Sequence, residues 1–211
     1  MKLKHLESAL QEVTLYSQLQ ELTGTAPRLE LEQYSTSPHL AARMVYTAHM
    51  EHDDIEDMNV LDMGCGTGIL GIAAAFLGAG HVTGIDIDPA ALAVAAQNAE
   101  RCEVQETLDL AEAPPFDTVL TNPPFGTRRA GADIEFLRLA MSLARRAVYT
   151  MHKTSTRAHV LKCAREGGAE AEVIAQLCFD IPATYAHHKR KSVDVEVDLI
   201  RVAIAAPASP R

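Results

Sequence analysis

Asn122-Pro123-Pro124-Phe125 closes the apolar run Thr118-Val119-Leu120-Thr121, and these residue types together can hold a planar, nitrogen-bearing substrate. Both prolines have φ fixed by their rings, and Asn122, preceding one, is pushed away from helical geometry, so the turn is stiff before any ligand arrives. The Asn122 side-chain oxygen and the Pro123 carbonyl can both accept hydrogen bonds from one amino group, while Phe125 offers a ring to stack on. That combination describes an exocyclic amine held for attack. The plainer alternative is a proline-rich connection between a strand and a helix, and the upstream residues decide against it.

Val60-Leu61-Asp62-Met63 reads as a short buried strand, followed directly by Gly64-Cys65-Gly66-Thr67-Gly68 and by Ile69–Phe76, a run of helical composition. Glycines in such a turn let backbone approach a ligand where a Cβ would collide. His81-Val82-Thr83-Gly84-Ile85-Asp86 is a second strand with Asp86 at its carboxyl end, placed to take both hydroxyls of a ribose. Gly66-x-Gly68-x-x-Gly71 also satisfies the dinucleotide pattern, which makes a nicotinamide dehydrogenase a competing reading. Two features oppose it. Asp62 lies two residues before the first glycine, where a carboxylate suits the cationic amino-acid end of S-adenosylmethionine better than a pyrophosphate, and the later strand ends in Asn-Pro-Pro-Phe.

The elements that must position these turns follow from periodicity. Leu3, Leu6, Leu10 and Val13 recur at helical spacing, and Ser37-Pro38 reads as a cap with proline in the first turn of a helix reaching about His49. Strands are expected near Val60, Val82, Thr107, Val119, Val148 and Val173, with helices starting near Gly68, Pro89, Asp133 and Thr156. Val193, Val195, Val197 and Leu199 alternate with Asp194, Glu196 and Asp198, as in a half-buried final strand. Alternating strands and helices predict an α/β fold with a mostly parallel sheet and helices on both faces. The expected division is residues 1–28 as N-terminal helix and linker, 29–204 as the domain and 205–211 as a tail.

With 211 residues, 47% of them hydrophobic, the chain is long enough for one large core. Its apolar runs are too short to span a bilayer, and its first residues lack the apolar centre of a secretory signal, so an intracellular protein is expected. Cys65, Cys102, Cys163 and Cys178 have no paired ligand spacing, which predicts no metal site. Net charge is −9, but residues 1–100 hold 4 Lys+Arg against 14 Asp+Glu while residues 121–191 hold 12 against 6. Positive charge therefore follows the Asn-Pro-Pro-Phe turn. Arg128-Arg129, Arg145-Arg146, Lys153 with Arg157, and above all Lys189-Arg190-Lys191 are expected around one mouth, facing a phosphate backbone.

Taken together these segments resemble the class I S-adenosylmethionine-dependent methyltransferases, and the resemblance narrows further. Leu31–Met44, Thr121–Thr127, Met151-His152-Lys153 and Lys191–Arg201 are similar to the methyltransferase-like-five family, which places one N6-methyladenosine on small-subunit (18S) ribosomal RNA. This resemblance implies a single Rossmann-like domain with a seven-stranded sheet and S-adenosyl-L-methionine as cofactor. It implies Asn122, Pro123, Pro124 and Phe125 at the reacting amine, with the cofactor held by Gln33, Thr36, Asp62, Gly64, Gly66, Thr67, Ile69, Asp86, Asp109 and Leu110. It further implies a heterodimer with a small zinc-binding activator subunit, and a place in the nucleus, including the nucleolus, and the cytoplasm. Three other functions stay open: N5-methylation of a glutamine in a translation factor, methylation of adenine in DNA, which would use the same pocket but with a separate target-recognition domain that is not seen in this sequence, and a non-catalytic RNA-binding assembly role.

Overall fold

The computed structural model describes residues 1–13, 31–34, 36–109, 116–126, 128–182 and 192–205. In chain order the elements are α1 (Leu3–Leu10), α2 (Pro38–His52), β1 (Asn59–Met63), α3 (Ile69–Phe76), β2 (His81–Ile85), α4 (Pro89–Arg101) and β3 (Leu108–Asp109), followed by β4 (Phe116–Thr121), α5 (Ala132–Leu143), β5 (Ala144–Lys153), α6 (Arg157–Glu166), β6 (Glu170–Pro182) and β7 (Ser192–Ala203). The strands lie in the order β3-β2-β1-β4-β5-β7-β6. From β3 to β5 the pairing is parallel, and β7 and β6 add antiparallel. Six of these are full strands, and the seventh, β3, is a two-residue edge.

Local chemistry explains most of the starts. Ser37 caps α2 by accepting from Leu40 N at 3.3 Å, with Pro38 in the first turn. Asp88 and Pro89 repeat the device for α4, with Ala90 N donating to Asp88 Oδ1 at 3.1 Å. Side-chain alternation then sorts the sheet into two faces. Val60, Val82, Leu120 and Tyr149 join α1, α2 and α3 in one core cluster, whereas Leu61, Met63, Val119 and Val148 pack with α5 and α6 in the other. Leu6, Leu10 and Val13 are buried as their helical spacing predicted.

The final strand departs from its expected alternation. Glu196 faces outward, but Asp198 is fully buried. Arg157 donates to both of its carboxylate oxygens, from Nε at 2.6 Å and Nη2 at 2.7 Å, and the Thr154 hydroxyl adds a third bond at 2.9 Å. Those bonds outweigh burial and hold the Asp198 carboxyl below its ordinary range, with the Arg157 guanidinium the leading cause. A position patterned as a solvent-facing acid is thus covered by the turn that enters α6.

Candidate active site

The turns after β1, β2 and β4 meet where strand order reverses between β1 and β4, the crevice in which open α/β sheets bind ligands. Register keeps them level: Met63 pairs with Ile85, Asp62 with Leu120, and the Thr121 hydroxyl donates to the Met63 carbonyl at 2.7 Å. Gly64 has φ +71, and a Cβ there would lie 3.2 Å from Cε1 of Phe136. Gly68 has φ +86, and its Cβ would lie 3.2 Å from that of Ala95. A Cβ at either position would press its neighbour back by a few tenths of an ångström, and the positive φ adds backbone strain for any other residue.

Two carboxylates hold the glycine turn. Asp62, 1% exposed, accepts from Gly71 N at 2.8 Å and sits beneath the turn without bordering the cavity. Burial pushes its carboxyl up to about 7, the Gly71 bond opposing and the nearby Asp86 charge reinforcing the rise. Asp86 does border the cavity, and there it accepts from Gly66 N and from Asp88 N, each at 2.8 Å. Its carboxyl is also pushed up by burial, against those bonds. An ionised carboxylate has about four acceptor sites, so two backbone bonds leave capacity for hydroxyl donors.

Asn122 is fixed from one side only. Its Nδ2 donates to Thr36 Oγ1 at 2.9 Å, which directs Oδ1 the other way, and Oδ1 is buried with no hydrogen-bond partner among the described residues. An acceptor so placed costs about 1–3 kcal/mol until a ligand donates to it. The chain before α2 runs antiparallel along the Asn122 turn through three ties. Thr36 meets Asn122, Tyr34 stacks on Phe125 with centroids 6.3 Å apart and planes inclined 21°, and Glu32 Oε1 accepts from Arg128 N at 2.7 Å. Phe125 is 7% exposed and carries Lys153 Nζ 5.8 Å from its centroid, so the ring expected to stack on substrate already has Tyr34 and a cation beside it.

Between these segments lies a cavity of about 460 Å³. Of the expected residues, Gln33, Gly64, Asp86, Asn122 and Pro124 border it. Thr36, Gly66, Thr67, Ile69, Pro123 and Phe125 stand behind that lining. Thr67 is held by Asn98 Nδ2 on its carbonyl at 2.9 Å, and Ile69 is in the core, 4% exposed. Gln33 also points elsewhere with its Nε2, which donates to Asp88 Oδ2 at 2.7 Å. Leu110, Lys189, Arg190 and Lys191 lie outside the described residues, and Asp109 is placed only as backbone of β3.

Sequence reasoning missed Glu32, Phe136, Leu139 and Ile87, all of which border the cavity. Phe136 and Leu139 share a helical face that reads as core, and Ile87 is 78% exposed directly after Asp86, an unusual place for so apolar a side chain. The basic residues also need correction. Arg146 sits at the start of β5, away from the crevice, bonded to the buried Asp54, while Arg157 is spent on Asp198 and Arg129 on Glu135 at 2.6 Å. Arg129 nonetheless borders the cavity and Lys153 Nζ stands 5.8 Å from the Phe125 centroid, so it is Arg146 that the structure removes from the expected mouth.

Comparison with known proteins agrees with this geometry. A family model described as ribosomal protein L11 methyltransferase (PrmA) matches residues 35–122, from before α2 to Asn122. A Danio rerio protein, rRNA N(6)-adenosine-methyltransferase METTL5, is 46% identical over 211 residues, spanning 95% of this chain and 98% of its own. The Drosophila melanogaster protein of the same description is 42% identical, with 97% of each chain covered. The chain belongs to the METTL5 family. Among solved structures, a candidate RNA methyltransferase from Pyrococcus horikoshii superposes with a TM-score of 0.83 at 28% identity, over 100% of this chain and 99% of that one. Magnesium protoporphyrin IX methyltransferase from Synechocystis PCC 6803, solved with S-adenosylmethionine bound, shares the fold with a TM-score of 0.59 at 16% identity, over 97% and 98% of the two chains. Among the described residues no helix is long and apolar enough to cross a membrane, and no cluster of His, Cys, Asp or Glu could hold a metal ion.

Proposed function

We propose that this protein transfers a methyl group from S-adenosylmethionine to N6 of an unpaired or flipped-out adenosine in small-subunit ribosomal RNA. The observation that carries the reading is the buried, unpartnered Oδ1 of Asn122 at the border of the cavity. The cavity fits the cofactor: among the described residues Glu32, Asp86 and Glu135 border it against Arg129, a field that favours a positively charged ligand, and Asp86 retains acceptor sites for ribose hydroxyls. S-adenosylmethionine supplies, when bound, a methyl group made electrophilic by its sulfonium.

The protein's own residues orient the amine. Adenine N6 is a poor nucleophile because its lone pair is delocalised into the ring. Asn122 Oδ1 accepts one amino hydrogen and the Pro123 carbonyl the other, which favours a pyramidal nitrogen with its lone pair directed outward. Thr36 keeps the Asn122 amide from rotating, and Tyr34 with Phe125 sets the apolar wall beside it. No general base is needed before attack, so positioning does most of the work. An adenosine in a duplex cannot reach such a recess, which is why the target is unpaired or extruded.

Kinship with rRNA N(6)-adenosine-methyltransferases supports the substrate class. The activator subunit is proposed to add along an edge of the sheet, since a strand edge is a template for another chain. Nucleus and cytoplasm are the proposed compartments, following the ribosomal substrate. The test is nucleoside mass spectrometry of unmethylated small-subunit ribosomal RNA after incubation with the protein, its activator and cofactor. N6-methyladenosine is expected from wild type, and Asn122→Ala should lower the rate ~10²–10³-fold with cofactor affinity unchanged by calorimetry. Methylation of a protein glutamine instead, or an Ala variant of normal rate, refutes the reading.

A further inference from the structure

Five buried side-chain atoms have no hydrogen-bond partner among the described residues, and two of them, Asn122 Oδ1 and Glu32 Oε2, belong to residues bordering the same cavity. Asn122 is accounted for by the substrate amine; Glu32 is not. Its side chain is carefully placed, being 7% exposed, with Oε1 anchored on Arg128 N at 2.7 Å and Oε2 left over. Its backbone sits at φ +51, the left-handed region that a non-glycine residue enters at a cost, and Tyr34 N closes a tight turn onto the Glu32 carbonyl at 2.8 Å. Strain, burial and an unsatisfied carboxylate oxygen at one residue are paid back only if a strong donor arrives from the cavity.

We infer that Glu32 Oε2 receives the α-ammonium group of the amino-acid end of S-adenosylmethionine, the role that the sequence suggested for Asp62. This rests on the proposed use of that cofactor. The other acids are excluded by their bonds and positions. Asp62 is beneath the glycine turn, committed to Gly71 and outside the cavity lining. Asp86 follows β2, on the far side of β1 from the Asn122 turn, and is shared between Gly66, Asp88 and the ribose. Glu135 is 55% exposed on its side chain and paired with Arg129. Among the described residues Glu32 is therefore the buried carboxylate with a free acceptor next to the methyl-transfer end, where Asn122 and Pro124 also border the cavity. An ammonium has three donors and a carboxylate has the opposite charge, so the contact is of the strong, charge-assisted kind.

The test is binding, read by calorimetry on the full chain with its activator, using three probes: S-adenosylmethionine, S-adenosylhomocysteine and 5′-methylthioadenosine, which lacks the amino-acid end. Glu32→Gln keeps the shape and an oxygen for Arg128 N while removing the charge, and a melting curve checks that it folds. Affinity for the first two probes is expected to fall roughly tenfold to a hundredfold, as for loss of a charged hydrogen bond, with methylthioadenosine unchanged. Equal affinities for wild type and variant overturn the inference, as does an equal loss for all three probes, which would mean that Glu32 only braces the turn. An unchanged cofactor affinity with a raised KM for RNA also overturns it, giving Glu32 to the substrate. If wild type itself binds none of the probes, the cofactor reading fails first.

Discussion

Asp62→Asn separates a structural acid from a cofactor ligand. The side chain is 1% exposed and its Oδ2 accepts from Gly71 N at 2.8 Å, so a carboxamide of the same shape keeps the bond and deletes the charge. Burial, with the Asp86 carboxylate adding to it, pushes the Asp62 carboxyl from 3.8 up to about 7 despite the Gly71 bond. Between those two values the unfolded chain has released a proton that the folded chain still holds, so raising the pH through the window favours unfolding. The gap is about three pH units, and at ~1.4 kcal/mol per unit Asp62 weakens the fold by about 4 kcal/mol once the pH exceeds 7. The Asn variant carries no such penalty. Its gain in stability over wild type should be small near pH 4, grow through the window and level off by pH 8, as measured by urea unfolding followed by circular dichroism. Cofactor affinity should stay within a few fold, since Asp62 does not border the cavity. A stability difference that is the same at every pH, or a variant less stable than wild type at pH 8, refutes the reasoning. A large loss of affinity would return Asp62 to the binding set.

Asp86→Ala removes the acceptor for Gly66 N and Asp88 N together with the proposed ribose contact, and calorimetry should show S-adenosylmethionine affinity reduced tenfold or more, roughly the worth of charged hydrogen bonds. Unchanged affinity would mean the ribose lies elsewhere. Arg201→Met leaves Asp54, whose side chain is 0% exposed, with only Arg146 and the Tyr149 hydroxyl as charge-bearing or polar side-chain partners. Burial alone would raise the Asp54 carboxyl, and these bonds are what keep it below its ordinary range. Loss of about 3 kcal/mol in a urea melt is expected, and a neutral substitution would show that water replaces the guanidinium.

Several features were legible because a few adjacent residues decide them sterically. Proline fixes its own φ, a serine or aspartate before proline caps a helix, and glycine alone tolerates φ +86, so the starts of α2, α3 and α4 and the stiff turn at Asn122 need no knowledge of the rest of the chain. Period-2 alternation likewise marks which side chains share a face of a strand. It is silent on what covers that face, and so Asp198 read as a solvent-facing acid until α6 brought Arg157, 41 residues away, onto it.

The same limit separates the turns from the site. The sequence by itself determined that an amide, a glycine turn and an acid stand at strand ends, because each is written in consecutive residues. Only the tertiary structure decided how the carboxylates divide their work. Asp62, still within β1, is turned under the glycine turn onto Gly71 N, whereas Asp86, just past the end of the neighbouring β2, borders the cavity. Glu32 meets Arg128 across 96 residues, and Arg146 meets Asp54 across 92. Whether a charge is a ligand, a brace or a surface residue depends on which partner folding brings within about 3 Å of it, and that distance is a property of the packed chain rather than of any segment.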